Sequence, residues 1–414
     1  MANTEKNIVI LGGGFGGLRC ALKLSKKLPE NYNLILIDQN KYNTYYPMLY
    51  EVATANLAHL RRFDFSRLKQ TVAIPFNEIL KDKKVKFERS SIKNINLEKR
   101  SILLSRNKIL NFQYLVLALG SETNYFDIKN ANKSFSLKSV EDAMNIRNSI
   151  DELFYTKKQK ERIGIVIAGG GFTGCEFAAE LSCFIKKIAH THNFPKNNVE
   201  LTIIEAGANI LPGAKDNITR LAIQRLKSLK IKVLFEESIQ KIKGAAIITS
   251  KNQKIEFDML IWTAGVKANS IIKTIKNLEL AKNDRAPVNQ YLQISNHPDF
   301  FGIGDNIYYL NPKNQKPILA TAQAALNEAN VVAKNIIALI KKEPLETFKP
   351  KEPFFIIPLG STYAIADIKI GIIKNVPAWI LKHFVNLKYF ISILPLKKSL
   401  TLWINGFKIF RKND

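Results

Sequence analysis

The chain has 414 residues, 46% of them apolar, which is material for a packed core and for two or three domains. Lysine and arginine number 62 against 35 acids, and a formal charge of +27 points to an anionic partner such as a membrane surface, a nucleic acid or a phosphorylated ligand. No nucleic-acid-binding motif appears, no apolar run is long enough to span a bilayer, and the three cysteines lack the spacing of a redox disulfide or a zinc site.

The N-terminus runs almost directly into a short apolar stretch, which leaves no room for a secretory signal. That stretch, Asn7-Ile-Val-Ile-Leu11, reads as a buried strand that breaks into glycines and opens a helix. Gly12, Gly14 and Gly17 fit G-x-G-x-x-G, a turn that seats a dinucleotide pyrophosphate on a helix N-terminus. A second strand, Asn33–Asp38, ends in an acid about twenty residues on, placed to accept from a ribose diol. The segment Tyr42–Thr54 is aromatic-rich and broken by Pro47, which suits a stretch lying along a flat ring system. From Val85 to Ala118 short apolar runs alternate with turn residues, the pattern of a small antiparallel insertion followed by a return to the parallel sheet.

The opening pattern then recurs. Arg162 to Ala168 is strand, Gly169, Gly171 and Gly174 repeat the glycine spacing, and Glu200–Glu205 is a second strand again ending in an acid. The strand-turn Asp258–Gly265 continues this second unit. Phe300-Phe-Gly-Ile-Gly-Asp305 is a strand that aims a carboxylate, Asp305, at a ribityl or phosphate-adjacent hydroxyl. A helix is expected over about Thr321 to Ile340.

The C-terminal stretch is basic. Lys374, Lys382, Lys388, Lys397, Lys398, Lys408, Arg411 and Lys412 stand against a single acid, Asp414. On a helix, Leu396, Leu400, Trp403, Phe407 and Phe410 share one face, and upstream Ile380, Phe384, Leu387, Ile391 and Leu394 do the same. Such helices fit a membrane interface with lysines toward anionic lipid heads.

Read together, Gly12–Gly17, Tyr46–Ala53, Leu117–Asn124, Ala168–Glu176, Trp262–Val266, Gly302–Asp305 and Ala322–Ala325 resemble the type II NADH:quinone oxidoreductases, the non-proton-pumping respiratory NADH dehydrogenases. The resemblance runs nearly end to end. It implies an α/β fold of two Rossmann-like dinucleotide-binding domains, for FAD and NAD, plus a C-terminal amphipathic membrane-anchoring region. Residues 1–120 and 265–345 would form a discontinuous FAD-binding domain, 121–264 the NADH-binding domain, and 346–414 the membrane-associating region.

By the same resemblance Gly12, Gly14, Gly17 and Asp38 would hold the ADP half of FAD, and Asp305 its ribityl side. Gly169, Gly171, Gly174 and Glu205 would hold NADH. Pro47 and Gly265 would also belong to the cofactor sites. Glu176 would sit near nicotinamide and flavin, and Gln323 would line a quinone pocket. No metal is implied. The partners would be a membrane quinone and an anionic lipid surface, with a homodimer compatible and no nucleic acid, at the cytoplasmic face of the cell membrane as a peripheral, monotopic protein. Asn327 departs from the glutamine usual in the family and is one methylene shorter. Asn327 keeps open a specialised naphthoquinone reductase of the same family, and the two shared glycine motifs keep open a soluble FAD-dependent ferredoxin-type reductase.

Overall fold

The computed structural model describes residues 6–56, 68–294, 297–352, 354–368 and 371–411. Lys412 and Asp414 of the basic tail lie outside the described residues. The chain divides into two compact units, each assembled from separate segments: Met1–Asn43, Ile74–Glu122 and Val266–Pro353 form the first, and Thr44–Ala73, Thr123–Gly265 and Phe354–Asp414 the second.

The first unit is built on a parallel five-stranded sheet. Its order is Phe300–Gly302, Tyr114–Leu117, Asn7–Leu11, Asn33–Asp38, Lys86–Arg89. The central strand is buried at every position, as a strand covered on both faces must be. Val9 pairs with Ile35 on one side and Leu115 on the other, so the β-branched run forms its own core. The sheet order reverses direction at this strand, and in open α/β sheets a ligand crevice forms at that switch point. The expected insertion is an antiparallel sheet of Ile92–Asn96, Ser101–Leu104 and Ile109–Asn111, which closes one flank of the core with Ile95, Ile102 and Leu104. The helix expected near Thr321 runs Ala322–Lys341, and Thr321 caps it by accepting the Ala324 N–H at 3.1 Å. It packs on the glycine-turn helix Phe15–Leu24, where a Cβ on Gly16 would come within 3.4 Å of the Ala325 carbonyl.

The second unit repeats the plan. Phe135–Ser136, Met259–Trp262, Ile163–Ala168, Val199–Ile204 and Lys232–Leu234 lie side by side, all parallel. The glycine-turn helix, Phe172–Thr191, is long and buries most of one side. Val140–Thr156 starts with a reciprocal capping box between Ser139 and Asp142.

The C-terminal segment adds an antiparallel sheet, Phe355–Pro358, Ala364–Ile368 and Gly371–Lys374, to this unit. Arg225 fastens it by donating to the carbonyls of Leu359 and Gly360 at 2.9 and 3.0 Å. Two helices follow, Asn375–Ile393 and Leu396–Phe410.

The faces of these last helices are split, which corrects the sequence reading. Ile380, Phe384 and Ile391 point outward, joined by Val376, and on the last helix Leu396, Leu400 and Ile404 do so. Phe410 is instead only 3% exposed, Phe407 packs on Trp379 and His383, and Leu394 is buried. Ser399 and Gly406 are small enough to let the last helix press inward. Helical periodicity shows that residues share a face, but it does not say whether that face meets protein or solvent.

Candidate functional site

The first unit carries a glycine cradle whose parts are fixed by contact. Gly12 has φ +101, and a Cβ there would lie 2.2 Å from the Ala118 carbonyl oxygen. A Cβ on Gly17 would lie 1.9 Å from the Gly12 oxygen, so that glycine allows helix and strand to touch. A Cβ on Gly14 would meet nothing within 4 Å, so that open side is where a ligand can come against backbone. The helix that starts there has no side-chain cap and no acid in its first turn, so its N–H groups and dipole remain available to an anion.

Asp38 braces the turn. Its Oδ2 accepts the Gly13 N–H at 2.7 Å and its Oδ1 accepts that of Asn40 at 2.8 Å. Burial raises its pKa, and the N–H groups of Asn40 and Gly13 oppose the rise. Asn43 holds the other side by donating to the Gly13 carbonyl at 2.7 Å. The Asp305 turn belongs to the same unit. Gly304 donates to Glu328 Oε2 at 2.6 Å, Asp305 Oδ2 accepts from the Ser121 hydroxyl at 2.7 Å, and Asn306 accepts the Gly120 N–H and donates to the Leu117 carbonyl. Gln323 lies in the first turn of the neighbouring helix, half-buried.

Glu328 was not singled out from the sequence. It is buried, and desolvation pushes its carboxyl to about 7, opposed by the Gly304 N–H and assisted by Asp305. Nothing local betrays it, because the N–H that it receives comes from a turn 24 positions away.

The second unit repeats the cradle. Gly169 has φ +100, a Cβ on Gly174 would lie 2.0 Å from the Gly169 oxygen, and a Cβ on Gly171 would meet nothing within 4 Å. Glu205 stands where Asp38 stands in the first unit: Oε2 accepts the Gly170 N–H at 2.6 Å and Oε1 that of Gly207 at 2.7 Å. The helix again begins without a side-chain cap or an early acid. Both cradles can therefore hold a dinucleotide by the same physics: open backbone N–H groups for phosphates and a braced carboxylate for a ribose.

Gly265 closes the end of the Met259–Trp262 strand, where its carbonyl accepts the Asn124 N–H at 3.0 Å and a Cβ would strike the Phe126 ring at 2.9 Å. Pro47 sits in the tight turn Tyr46–Met48, which feeds the short buried helix Leu49–Ala53.

That short helix reveals a group that the sequence did not. Glu51 forms an ion pair with Lys382, their side chains only 5% and 10% exposed. Tyr50 donates to Glu51 Oε1 at 3.1 Å, and the Lys382 ammonium lies 5.2 Å from the centre of the Tyr50 ring. Glu51 Oε2 is buried with no hydrogen-bond partner. Lys382 is therefore not one of the lipid-facing lysines. Of that basic series, Lys374, Lys388, Lys397, Lys398, Lys408 and Arg411 are exposed.

Glu176, in the second turn of the Phe172–Thr191 helix, feels this cluster electrostatically. Desolvation pushes its carboxyl up to about 8, Lys382 pulls it down and Glu51 pushes it up. It is thus mostly protonated at neutral pH. His383, beside Lys382, is driven to about 3 by burial and by that ammonium, and stays neutral.

A pH dependence of stability follows. Glu176 has an ordinary value of 4.5 in the unfolded chain and about 8 when folded, so the folded form keeps a proton that the unfolded form has lost. Stability contributed this way is full below about 4.5 and falls as pH rises to about 8. Glu328 acts in the same direction but only to about 7. Glu176→Gln is expected to flatten the fall between pH 7 and 8 in denaturant melts, and an unchanged slope there would contradict this assignment.

The three cysteines, Cys20, Cys175 and Cys183, are buried and form no disulfide. Burial raises the thiols of Cys20 and Cys175 far above their ordinary range, so neither is a ready nucleophile.

Known proteins fit this arrangement. A type II NADH:quinone oxidoreductase of Haemophilus influenzae is 27% identical over 405 residues, covering 89% of this chain and 88% of its own. One of Staphylococcus haemolyticus is 26% identical over 371 residues, covering 87% and 89%. Among solved structures, NDH2 of Plasmodium falciparum in complex with NADH superposes with a TM-score of 0.83 at 21% identity over 98% of both chains. The sulfide:quinone oxidoreductase of Aquifex aeolicus does so at 0.77 and 19% identity, over 93% of this chain and 90% of its own. The family described as pyridine nucleotide-disulphide oxidoreductase matches residues 6–329, both glycine cradles included, and the chain belongs to it.

Proposed function

We propose that the protein is a type II NADH:quinone oxidoreductase that binds FAD, oxidises NADH and reduces a membrane quinone without pumping protons. The observation that carries this reading is the pair of like cradles, one in each unit, each with an uncapped helix and a carboxylate braced by backbone N–H groups. Two such sites suit a resident dinucleotide and a second one that comes and goes. The names of the relatives and the solved NADH complex support the same assignment.

In this reading residues 1–120 and 265–345 serve FAD, 121–264 serve NADH and 346–414 meet the membrane. Gly12 makes the tight turn and Gly17 lets the helix pack on it, so that Gly14 brings backbone to the FAD pyrophosphate; Asp38 receives its adenosine ribose and Asp305 its ribityl chain. Gly169, Gly171 and Gly174 do the same for NADH phosphates and Glu205 for its ribose. A carboxylate there accepts from a free 2′-hydroxyl and repels a 2′-phosphate, which selects NADH over NADPH. Pro47 and Gly265 shape the backbone beside the cofactors, and Gln323 contacts the quinone. Bound FAD supplies the two-electron redox chemistry that these side chains lack. The net reaction, NADH + H⁺ + quinone → NAD⁺ + quinol, takes up one proton. Glu176 holds one at its carboxyl oxygen at neutral pH.

Among the described residues no helix is long and apolar enough to cross a membrane. Attachment would instead use the outward strip Val376, Ile380, Phe384, Ile391, Leu396, Leu400 and Ile404, with the exposed lysines around it and the cytoplasmic leaflet as target. The strip also favours a quinone reductase over a soluble ferredoxin-type reductase, which has no use for it. Replacing Phe384, Leu396 and Leu400 together by serine is expected to abolish most flotation with anionic liposomes. Each such side chain is worth at most about 1.5–3 kcal/mol when fully buried, so the triple change removes several kcal/mol and leaves attachment to the rest of the strip and to basic residues worth about 1 kcal/mol each. NADH oxidation with a water-soluble quinone should survive, and a triple variant that floats like wild type would place the attachment elsewhere.

The activity is tested by steady-state NADH oxidation with ubiquinones and menaquinones. Turnover with at least one supports the reading, and NADH binding without turnover would make the protein a sensor rather than an enzyme. Asn327, one methylene shorter than the glutamine usual in the family, gives a reason to expect an altered quinone preference.

A further inference from the structure

We infer that Glu237 reads the exocyclic amino group of adenine in the dinucleotide bound by the second unit; this rests on the reading of that cradle as the NADH site. Glu237 lies just past the strand Lys232–Leu234, the neighbour of the strand that ends in Glu205. It is held close to the ribose carboxylate. Its own N–H donates to the Glu205 carbonyl at 3.0 Å, and the Glu236 N–H donates to the Gly207 carbonyl at 3.1 Å. Its side chain is turned inward, at 7% exposure. Oε2 is wholly enclosed and accepts no hydrogen bond, and no donor or cation among the described residues pairs with the carboxylate.

A buried carboxylate without a partner is costly, and a position that keeps one is fitted to a donor from outside the chain. Glu205 offers less: both of its oxygens already accept backbone N–H groups. It suffices for a ribose diol but leaves the acceptor capacity of Glu237 unused. A dinucleotide in this fold lies across the carboxyl ends of the strands, with its ribose at the acid-ended strand and its base beyond it. Glu237 follows the strand next to the one that Glu205 ends and is hydrogen-bonded to Glu205 through the backbone, which makes it the buried acid nearest along the chain to where that base would lie. The donor that adenine presents is its amino group. A hypoxanthine base has a carbonyl oxygen at the same place, which the carboxylate repels, and its ring N–H reaches the carboxylate only if the base slides sideways.

The test is calorimetric titration of the FAD-loaded full chain with NAD⁺ and with nicotinamide hypoxanthine dinucleotide, for wild type, Glu237→Gln and Glu237→Ala. Wild type is expected to bind NAD⁺ about tenfold to a hundredfold tighter than the hypoxanthine analogue. Glu237→Ala should bring the two within about threefold, chiefly by weakening NAD⁺, at the low end of what one such hydrogen bond contributes. Glu237→Gln is nearly isosteric and can turn its amide N–H toward the carbonyl, so it should erase or invert the preference. Both variants should melt close to wild type, because neither breaks a side-chain hydrogen bond of Glu237. Equal wild-type affinity for the two ligands, or full discrimination kept by Glu237→Gln, would overturn the inference. No measurable NAD⁺ binding by wild type would instead overturn the dinucleotide reading of this unit.

Discussion

Gly14→Ala is expected to fold and lose FAD, whereas Gly17→Ala is expected to fail to fold. The two glycines are three positions apart, one extended at the helix N-cap and the other inside the helix, and what surrounds each decides the outcome. A methyl on Gly17 would sit 1.9 Å from a backbone oxygen, an overlap that no rotamer change can relieve. Overpacking of flexible side chains costs about 1–3 kcal/mol, and a rigid backbone contact costs more, out of a total stability of about 5–15 kcal/mol. A methyl on Gly14 meets nothing within 4 Å, and the backbone there is extended, so the fold should not register it. It would stand where the pyrophosphate comes against the chain. FAD affinity is expected to fall tenfold or more, about 1.4 kcal/mol or more, measured as flavin retained after gel filtration and as recovery of absorbance on adding FAD. A Gly14→Ala protein that stays fully yellow would remove phosphate contact from this turn. Gly171→Ala should behave alike toward NADH.

Lys382→Met is expected to destabilise the protein by about 3–5 kcal/mol, since it strands Glu51 as an unpaired charge in a buried site. Glu51→Leu added to Lys382→Met should restore much of the loss, because a buried ion pair is often replaceable by packed apolar groups. The single variant should also push the Glu176 carboxyl further up, since the ammonium holds it down. Chemical denaturation of both variants with Glu176 titrated by infrared difference spectroscopy would check the two effects together. A single variant as stable as wild type would show that the pair is solvated in solution.

What the sequence made legible was whatever is local. Gly12, Gly14, Gly17 and Asp38 lie within one strand–turn–helix–strand stretch, and the structure joins them by a direct bond from Gly13 to Asp38. The same holds for Gly169, Gly171, Gly174 and Glu205. The antiparallel insertion was legible because alternation and turn residues repeat at short range.

The Glu51–Lys382 pair was not legible. Its members are 331 positions apart, and a lysine in a basic amphipathic tail is most simply read as facing lipid. Phe410 was misplaced for a related reason, since its helix is apolar enough to bury one side and expose another. Glu237 and Glu328 were missed because a partnerless or turn-bracing carboxylate is defined by what surrounds it in space.

If one cradle holds FAD and the other NADH, electrons from NADH reach a quinone by way of the flavin. The most direct test is the visible spectrum of the purified protein, recorded without oxygen before and after NADH and again after quinone. A flavin band at one FAD per chain is expected, with its loss on adding NADH and its return on adding quinone. A folded protein without a flavin band, or a flavin band that NADH leaves unchanged, would contradict it.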